Sequence, residues 1–464
     1  MSFSTKLTSF FRLLKQAVKG GEENFTEGSI DRAIFLLSVP MVLEMLMESL
    51  FAVVDIFYVS RLGDNDAIAT IGLTESILTI IYSLAMGISM GATAMVARRV
   101  GEKDIPAAQV AAAQAIYIGI GLSLIISVIG IFFSTDILRL MGASESLIAN
   151  NSGYTRWMLC GNLSIVMLFI INGIFRGAGN ASIAMRALII SNGLNIAIAP
   201  VFIFVFKMGV EGAAIATMIG RGSGVLYQVY HLTKGKGLIR LHVQNMGVRW
   251  DIIWRLIKVS AGGTGQFIIA SASWIFLVRI ISTFGSAALA GYTIGIRVII
   301  FAIMPAWGMA NAAATLVGQN LGAGLPERAE KSVYRSAFLN MIFLGIVTIV
   351  FYTLAGPIVR IYTDDPAVLE SGMQCLKIVS LGYIFYAYGM VIIQSFNGAG
   401  DTLTPTILNV FGFWLFQIPF AYLMAIVLEF ETTGAYIAIV TAESAMAIVA
   451  IIIFRRGKWK LVKI

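Results

Sequence analysis

Three carboxylic acids, Glu44, Glu48 and Asp55, fall inside one apolar stretch near the start of the chain. On a helix their directions differ from that of Glu44 by about 40° and 20°, so all three line one face over roughly three turns. An ionisable group at the centre of a membrane helix costs on the order of 2.5–3.5 kcal/mol to insert, so a stripe of acids there needs a reason. Carboxylates this close repel one another in a medium of low dielectric, and a shared proton or a bound cation relieves that repulsion. One reading is therefore a site that binds and releases a coupling cation or proton and attracts cationic substrate. The other is that the acids pair with Arg221 or Arg297 and hold helices together. Ser191-Asn192-Gly193-Leu194-Asn195 adds two amides three residues apart on one helical face, with Asn172 and Thr217 in the neighbouring apolar runs. Such oxygens suit hard monovalent cations and serve equally as hydrogen-bond glue between helices. Glu75, Glu443, Arg279 and Arg297 also lie in apolar runs, where structural pairing accounts for them as well as function does.

The elements that must position these groups are membrane helices. Of 464 residues 58% are hydrophobic and only 12% charged, about half the charge of an average soluble domain. Runs long enough to cross the hydrocarbon core are expected at 36–60, 67–97, 107–133, 153–175, 183–206 and 212–232. They resume at 254–282, 286–317, 332–356, 374–396, 403–428 and 434–454, twelve in all. A polar linker, 234–253, separates an N-lobe at 1–233 from a C-lobe at 254–464. About 24 of the 33 Lys and Arg residues fall on the side that bears both termini and about six on the other, which predicts cytoplasmic termini. The net charge of +8 thus follows the membrane rather than a nucleic acid. Residues 1–20 read as a basic amphipathic helix, with Leu7, Phe10, Phe11, Leu14 and Val18 opposite Lys6, Arg12, Lys15 and Lys19. It would lie on an anionic membrane surface, the alternative being a solvated terminus.

Cys160 and Cys375 sit in apolar runs and read as small hydrophobes, and His231 stands just before the polar linker and His242 within it, so no cluster suits a transition metal. No phosphate-binding Gly-Lys loop or HExxH motif is present, which argues against an ATP-driven pump and against an enzyme.

The two halves echo each other at a fixed offset of 221 residues. Val96-Ala97-Arg98-Arg99-Val100-Gly101 matches Val317-Gly318-Gln319-Asn320-Leu321-Gly322, and Phe175-Arg176-Gly177-Ala178-Gly179-Asn180 matches Phe396-Asn397-Gly398-Ala399-Gly400-Asp401. Six spans per half make the repeats parallel, with a cavity between them near the midplane and alternating access as the natural cycle. The expected fold is an all-α polytopic membrane protein of two parallel six-helix bundles around a central cavity.

With Val54-Asp55-Ile56-Phe57-Tyr58-Val59, these motifs resemble those of the multidrug and toxic compound extrusion (MATE) transporters, over nearly the whole chain. The resemblance implies a coupling-ion site in the N-lobe at Asp55, Asn172, Asn195 and Thr217, with Na+ or H+ as the ion and no other cofactor or metal. The family's fifth-span Asp is replaced here by Ala199, before Pro200, and Glu48 is the candidate to compensate. Glu44, Asn192 and Gln266 are further candidates for the ion site. In the C-lobe, Ala270 and Tyr386 stand where many relatives carry acids, with Gln266 one turn before Ala270. Coupling is therefore expected in the N-lobe, with Tyr386, Gln266 and Trp274 lining a substrate cavity. The implied protein is a monomeric antiporter of a bacterial or archaeal cell membrane, exporting small organic cations. A flippase for lipid-linked saccharides, which would need a cationic cavity, and a non-transporting scaffold are the alternatives.

Overall fold

A computed structural model describes residues 3–21, 23–63, 65–235, 237–242, 244 and 246–464, and of these all side chains except those of 3–7, 52, 55, 56 and 65. Helix α1 (Phe3–Lys19) precedes the first lobe. That lobe comprises α2 (Ile30–Ser60), α3 (Asn65–Gly101), α4 (Ile105–Leu140), the pair α5 (Glu145–Cys160) and α6 (Asn162–Gly177), α7 (Ala181–Pro200) and α8 (Gly209–Lys234). The second lobe repeats the plan with α9 (Trp250–Ser282), α10 (Ser286–Gly322), α11 (Pro326–Arg360) and the pair α12 (Pro366–Leu381) and α13 (Tyr383–Ala399). It ends with α14 (Leu403–Asn409), continued through π-helical turns into α15 (Ile418–Tyr422), and with α16 (Glu431–Arg455).

Among the described residues, ten helical segments are long and apolar enough to cross a membrane, and the bent pair α12–α13 makes an eleventh. The twelfth, α8, is 26 residues long. Its glycines, Arg221 and Gln228 lower its mean hydropathy, and those polar side chains are buried against the rest of the lobe.

The duplication is visible in the backbone. The fourth span breaks at Gly161, between α5 and α6, and the tenth breaks at Gly382, between α12 and α13, where the helices bend by 58°. Both breaks obey the 221-residue offset, as do the left-handed turns at Gly179 (φ 84°) and Gly400 (φ 89°). These spans also begin earlier than their apolar runs suggest. Ser144 accepts a hydrogen bond from the Leu147 N–H at 3.2 Å, and Asp365 from the Ala367 N–H at 2.9 Å. Such caps start a helix in polar sequence ahead of its hydrophobic part.

Each lobe has its own hydrophobic core, one running from Val59 to Leu256 and the other from Leu277 to Trp459. The lobes meet through α2 and α10, where Leu37 and Met41 pack with Ala312 and Leu316. A Cβ added to Gly308 would lie 2.7 Å from the Val42 backbone. Closer still, a Cβ on Gly101 would sit 2.0 Å from the Gln319 carbonyl oxygen, and one on Gly322 2.1 Å from that of Arg98. Glycine is what lets these two helix ends touch. They lie on the side that carries both termini, and each terminus crosses to the opposite lobe there. Arg328 of α11 donates to the carbonyls of Phe25, Glu27 and Gly28 at 3.3, 2.8 and 3.0 Å, and Arg335 pairs with Asp31 at 2.6 Å. In return Arg99 of α3 donates to the Ile464 carbonyl at 2.9 Å, and Arg98 to that of Val462.

The linker is docked rather than free. Gln114 of α4 donates to the Gly247 carbonyl at 2.9 Å and accepts from the Arg249 N–H at 3.0 Å. In α1, Phe10, Phe11 and Val18 are exposed, while Ala17 is buried and Phe10 meets Phe35 edge-on at 5.6 Å. The side chains of Lys6 and Leu7 lie outside the described residues.

Candidate functional site

Glu44 and Glu48 project from α2 into a polar interior built by four other helices. Glu44, 1% exposed, lies 3.0 Å from a guanidinium nitrogen of Arg176 on α6. The same guanidinium donates to the Ser89 hydroxyl on α3 at 2.8 Å. Glu48, one turn further along α2, meets Arg221 of α8 at 2.8 Å. The Arg221 guanidinium also stacks over the Phe51 ring at 4.2 Å, which adds cation–π attraction in a dry setting. Both acids are thus held in ion pairs, and a buried pair is stable only while both members stay.

The polar residues singled out on α6, α7 and α8 gather around these pairs. Asn195 donates to the Thr217 hydroxyl at 3.4 Å. Asn172 accepts from Gln228. Asn192 turns to α2, donating to the Met47 carbonyl at 2.9 Å. Asp55 stands on α2, but its side chain lies outside the described residues. Ala199 is buried near the end of α7, just before the π-helical turn Val201–Val205.

Arg176 falls one residue beyond the span expected at 153–175. It is buried in the last turn of α6, as the partner of Glu44. The Gly-Ala-Gly that follows it marks the helix end, and an arginine one turn before such an end still faces the interior. Arg297 forms no ion pair with a described acid at the 4.0 Å limit, whereas Arg221 does.

The C-lobe holds a cavity of roughly 460 Å³. Gln266, Trp274 and Tyr386 all line it, and so does Ala270. Gln266 is fixed by Asn397, donating to its side-chain oxygen at 2.9 Å and accepting from its amide nitrogen at 3.1 Å, and it donates to the Thr402 carbonyl at 3.1 Å. Gln266 therefore joins the wall of the cavity. Glu443 of α16 also lines the cavity and is the one charged residue doing so among the described residues. From the sequence, structural pairing accounts for Glu443 as well as function does. Its only signal was a lone carboxylate midway along an apolar span.

No described group of His, Cys, Asp and Glu could hold a metal ion by clustering. The geometry offers two buried ion pairs in the N-lobe and a cavity sized for a small molecule in the C-lobe.

Comparison with known proteins agrees with the architecture. The MatE family model matches residues 40–201 and 264–423, one copy in each lobe. Among curated relatives, "Probable multidrug resistance protein YoeA" of Bacillus subtilis is 24% identical over 439 residues, covering 93% of this chain and 95% of its own. "Multidrug export protein MepA" of Staphylococcus aureus is 24% identical over 431 residues, covering 92% and 94%. Among solved structures, a MATE protein in complex with MaD3S superposes with a TM-score of 0.89 at 26% identity, covering 94% of this chain and 98% of that one. With both lobes matched in order and almost the full length aligned, this chain belongs to the MatE family of multi-pass membrane transporters.

Proposed function

We propose that the chain is a secondary antiporter of the cell membrane, in which inward flow of Na+ or H+ drives export of small organic cations by alternating access. The observation that carries this reading is the buried network of the N-lobe, where Glu44 and Glu48 meet Arg176 and Arg221 across three helices. A proton or cation that takes a carboxylate competes with its arginine. Each exchange of partner therefore alters what holds α2 to α6 and α8, and an ion with different affinity for the two arrangements shifts the balance between them. Asp55, Glu48, Asn172, Asn195 and Thr217 form the coupling site in this reading, with Glu44 and Asn192 at its edge. Glu48 stands in for the carboxylate replaced by Ala199. Both termini face the cytoplasm, and the protein works as a monomer. The lobes close on the side of the termini, through Gly101 and Gly322, and part on that side when the cycle turns. A flippase with a cationic cavity is disfavoured, because the charged residue lining the C-lobe cavity is an acid.

Proteoliposomes with the protein and ethidium inside test the proposal, first under an imposed Na+ gradient and then under a pH gradient. One gradient should drive ethidium movement, and Glu48→Gln should abolish its ion dependence. Failure of both gradients with ethidium and with other organic cations refutes antiport. Unaltered ion dependence in Glu48→Gln refutes the role of Glu48.

A further inference from the structure

We infer that Glu443 is the carboxylate that pairs with the charge of a planar, monovalent organic cation held in the C-lobe cavity; the inference deepens the transporter reading above and rests on it. Glu443 stands at the midpoint of α16 (Glu431–Arg455), so its carboxyl is at mid-depth in the membrane rather than near a water-exposed end. It forms no ion pair with a described Lys or Arg, whereas Glu44 and Glu48 each hold an arginine. A carboxylate kept without a partner in an apolar setting calls for a counter-charge that comes and goes.

The walls say what kind of cation. Phe267 and Trp307 line the cavity with their ring centres 5.8 Å apart and their planes tilted by 32°, and Trp274, Tyr386 and Phe413 add further faces. Aromatic faces attract a delocalised cation by cation–π interaction and accept a flat ring system by stacking. One negative charge and several flat aromatic faces fit a planar monocation. A neutral compound would leave Glu443 unpaired, and an anion would be repelled by it.

Ethidium has these features and serves as the probe. Its equilibrium binding to the purified full-length protein in lipid nanodiscs is measured for wild type, Glu443→Gln and Glu443→Asp. Glu443→Gln should weaken binding by about tenfold or more, an order of magnitude in Kd, and Glu443→Asp should keep most of it. Equal affinity in wild type and Glu443→Gln, or no binding by wild type, overturns the inference. A second measurement needs no variant: ethidium should shield Glu443 of the wild-type protein from modification by dicyclohexylcarbodiimide, read by peptide mapping, and absence of shielding overturns the inference equally. The two proposals separate cleanly. Ethidium efflux that is the same in wild type and Glu443→Gln defeats the assignment of Glu443 and leaves antiport standing. Glu443-dependent binding with no gradient-driven efflux of ethidium or of other organic cations upholds the site and defeats antiport.

Discussion

Replacing Glu44 with alanine should destabilise the N-lobe more than most single changes in the chain. The carboxylate is 1% exposed and 3.0 Å from Arg176. At that distance and an effective dielectric of about 20, the attraction is about 5.5 kcal/mol before desolvation is subtracted. Removing the acid leaves Arg176 buried with Ser89 as its side-chain partner. Loss of one member of a buried pair typically costs about 3–5 kcal/mol, because the other charge is then uncompensated. The double change Glu44→Leu with Arg176→Met removes both charges while keeping volume, and should recover most of that loss. Reversible unfolding of the purified protein in mixed detergent and dodecyl sulfate micelles measures the cycle, with Glu44→Leu and Arg176→Met as its single variants. The expected coupling is about 2 kcal/mol or more, well above the scatter of independent sites. If the two single costs add to the double to within about 0.5 kcal/mol, the pair is not coupled and the reasoning fails.

Two further predictions concern glycines, one at the seam between the lobes and one at the left-handed turn after α13. Gly322→Ala puts a Cβ within 2.1 Å of the Arg98 carbonyl, an overlap with backbone worth about 1–3 kcal/mol against the closed arrangement. Spin labels at the facing ends of α3 and α10 should report longer distances in this variant, and an unchanged distribution would contradict it. Gly400→Ala should cost about 1–2 kcal/mol from its left-handed backbone alone, since φ is 89° there. The new methyl also lies 2.4 Å from the Ile464 side chain, so adding Ile464→Ala should recover the steric part of the loss and leave the backbone part. Thermal unfolding of Gly400→Ala, Ile464→Ala and the double variant checks this, and wild-type stability in Gly400→Ala would contradict it.

The many apolar spans and the two-lobe plan were legible in the sequence because hydrocarbon makes them one-dimensional properties. Each span must satisfy its own backbone and be apolar over a fixed length, whatever its neighbours do. The repeat was legible for a similar reason: glycine turns such as Gly179 and Gly400 leave a sequence mark where the backbone turns left-handed. The breaks at Gly161 and Gly382 were not legible, since a glycine inside an apolar run reads the same in a straight helix as in a bent one. Partnership was left to the tertiary structure. The acidic stripe of α2 could have met Arg221 or Arg297, and packing decided for Arg221 with Glu48, while Glu44 took Arg176 from a position one residue beyond its expected span. Glu443 makes the same point in the C-lobe. A lone acid in an apolar span has no signature of its own, and what it faces is set by how α16 packs against helices far away in sequence. Periodicity fixes which residues share a helix face; only the assembled helices fix whether that face meets an arginine or a cavity.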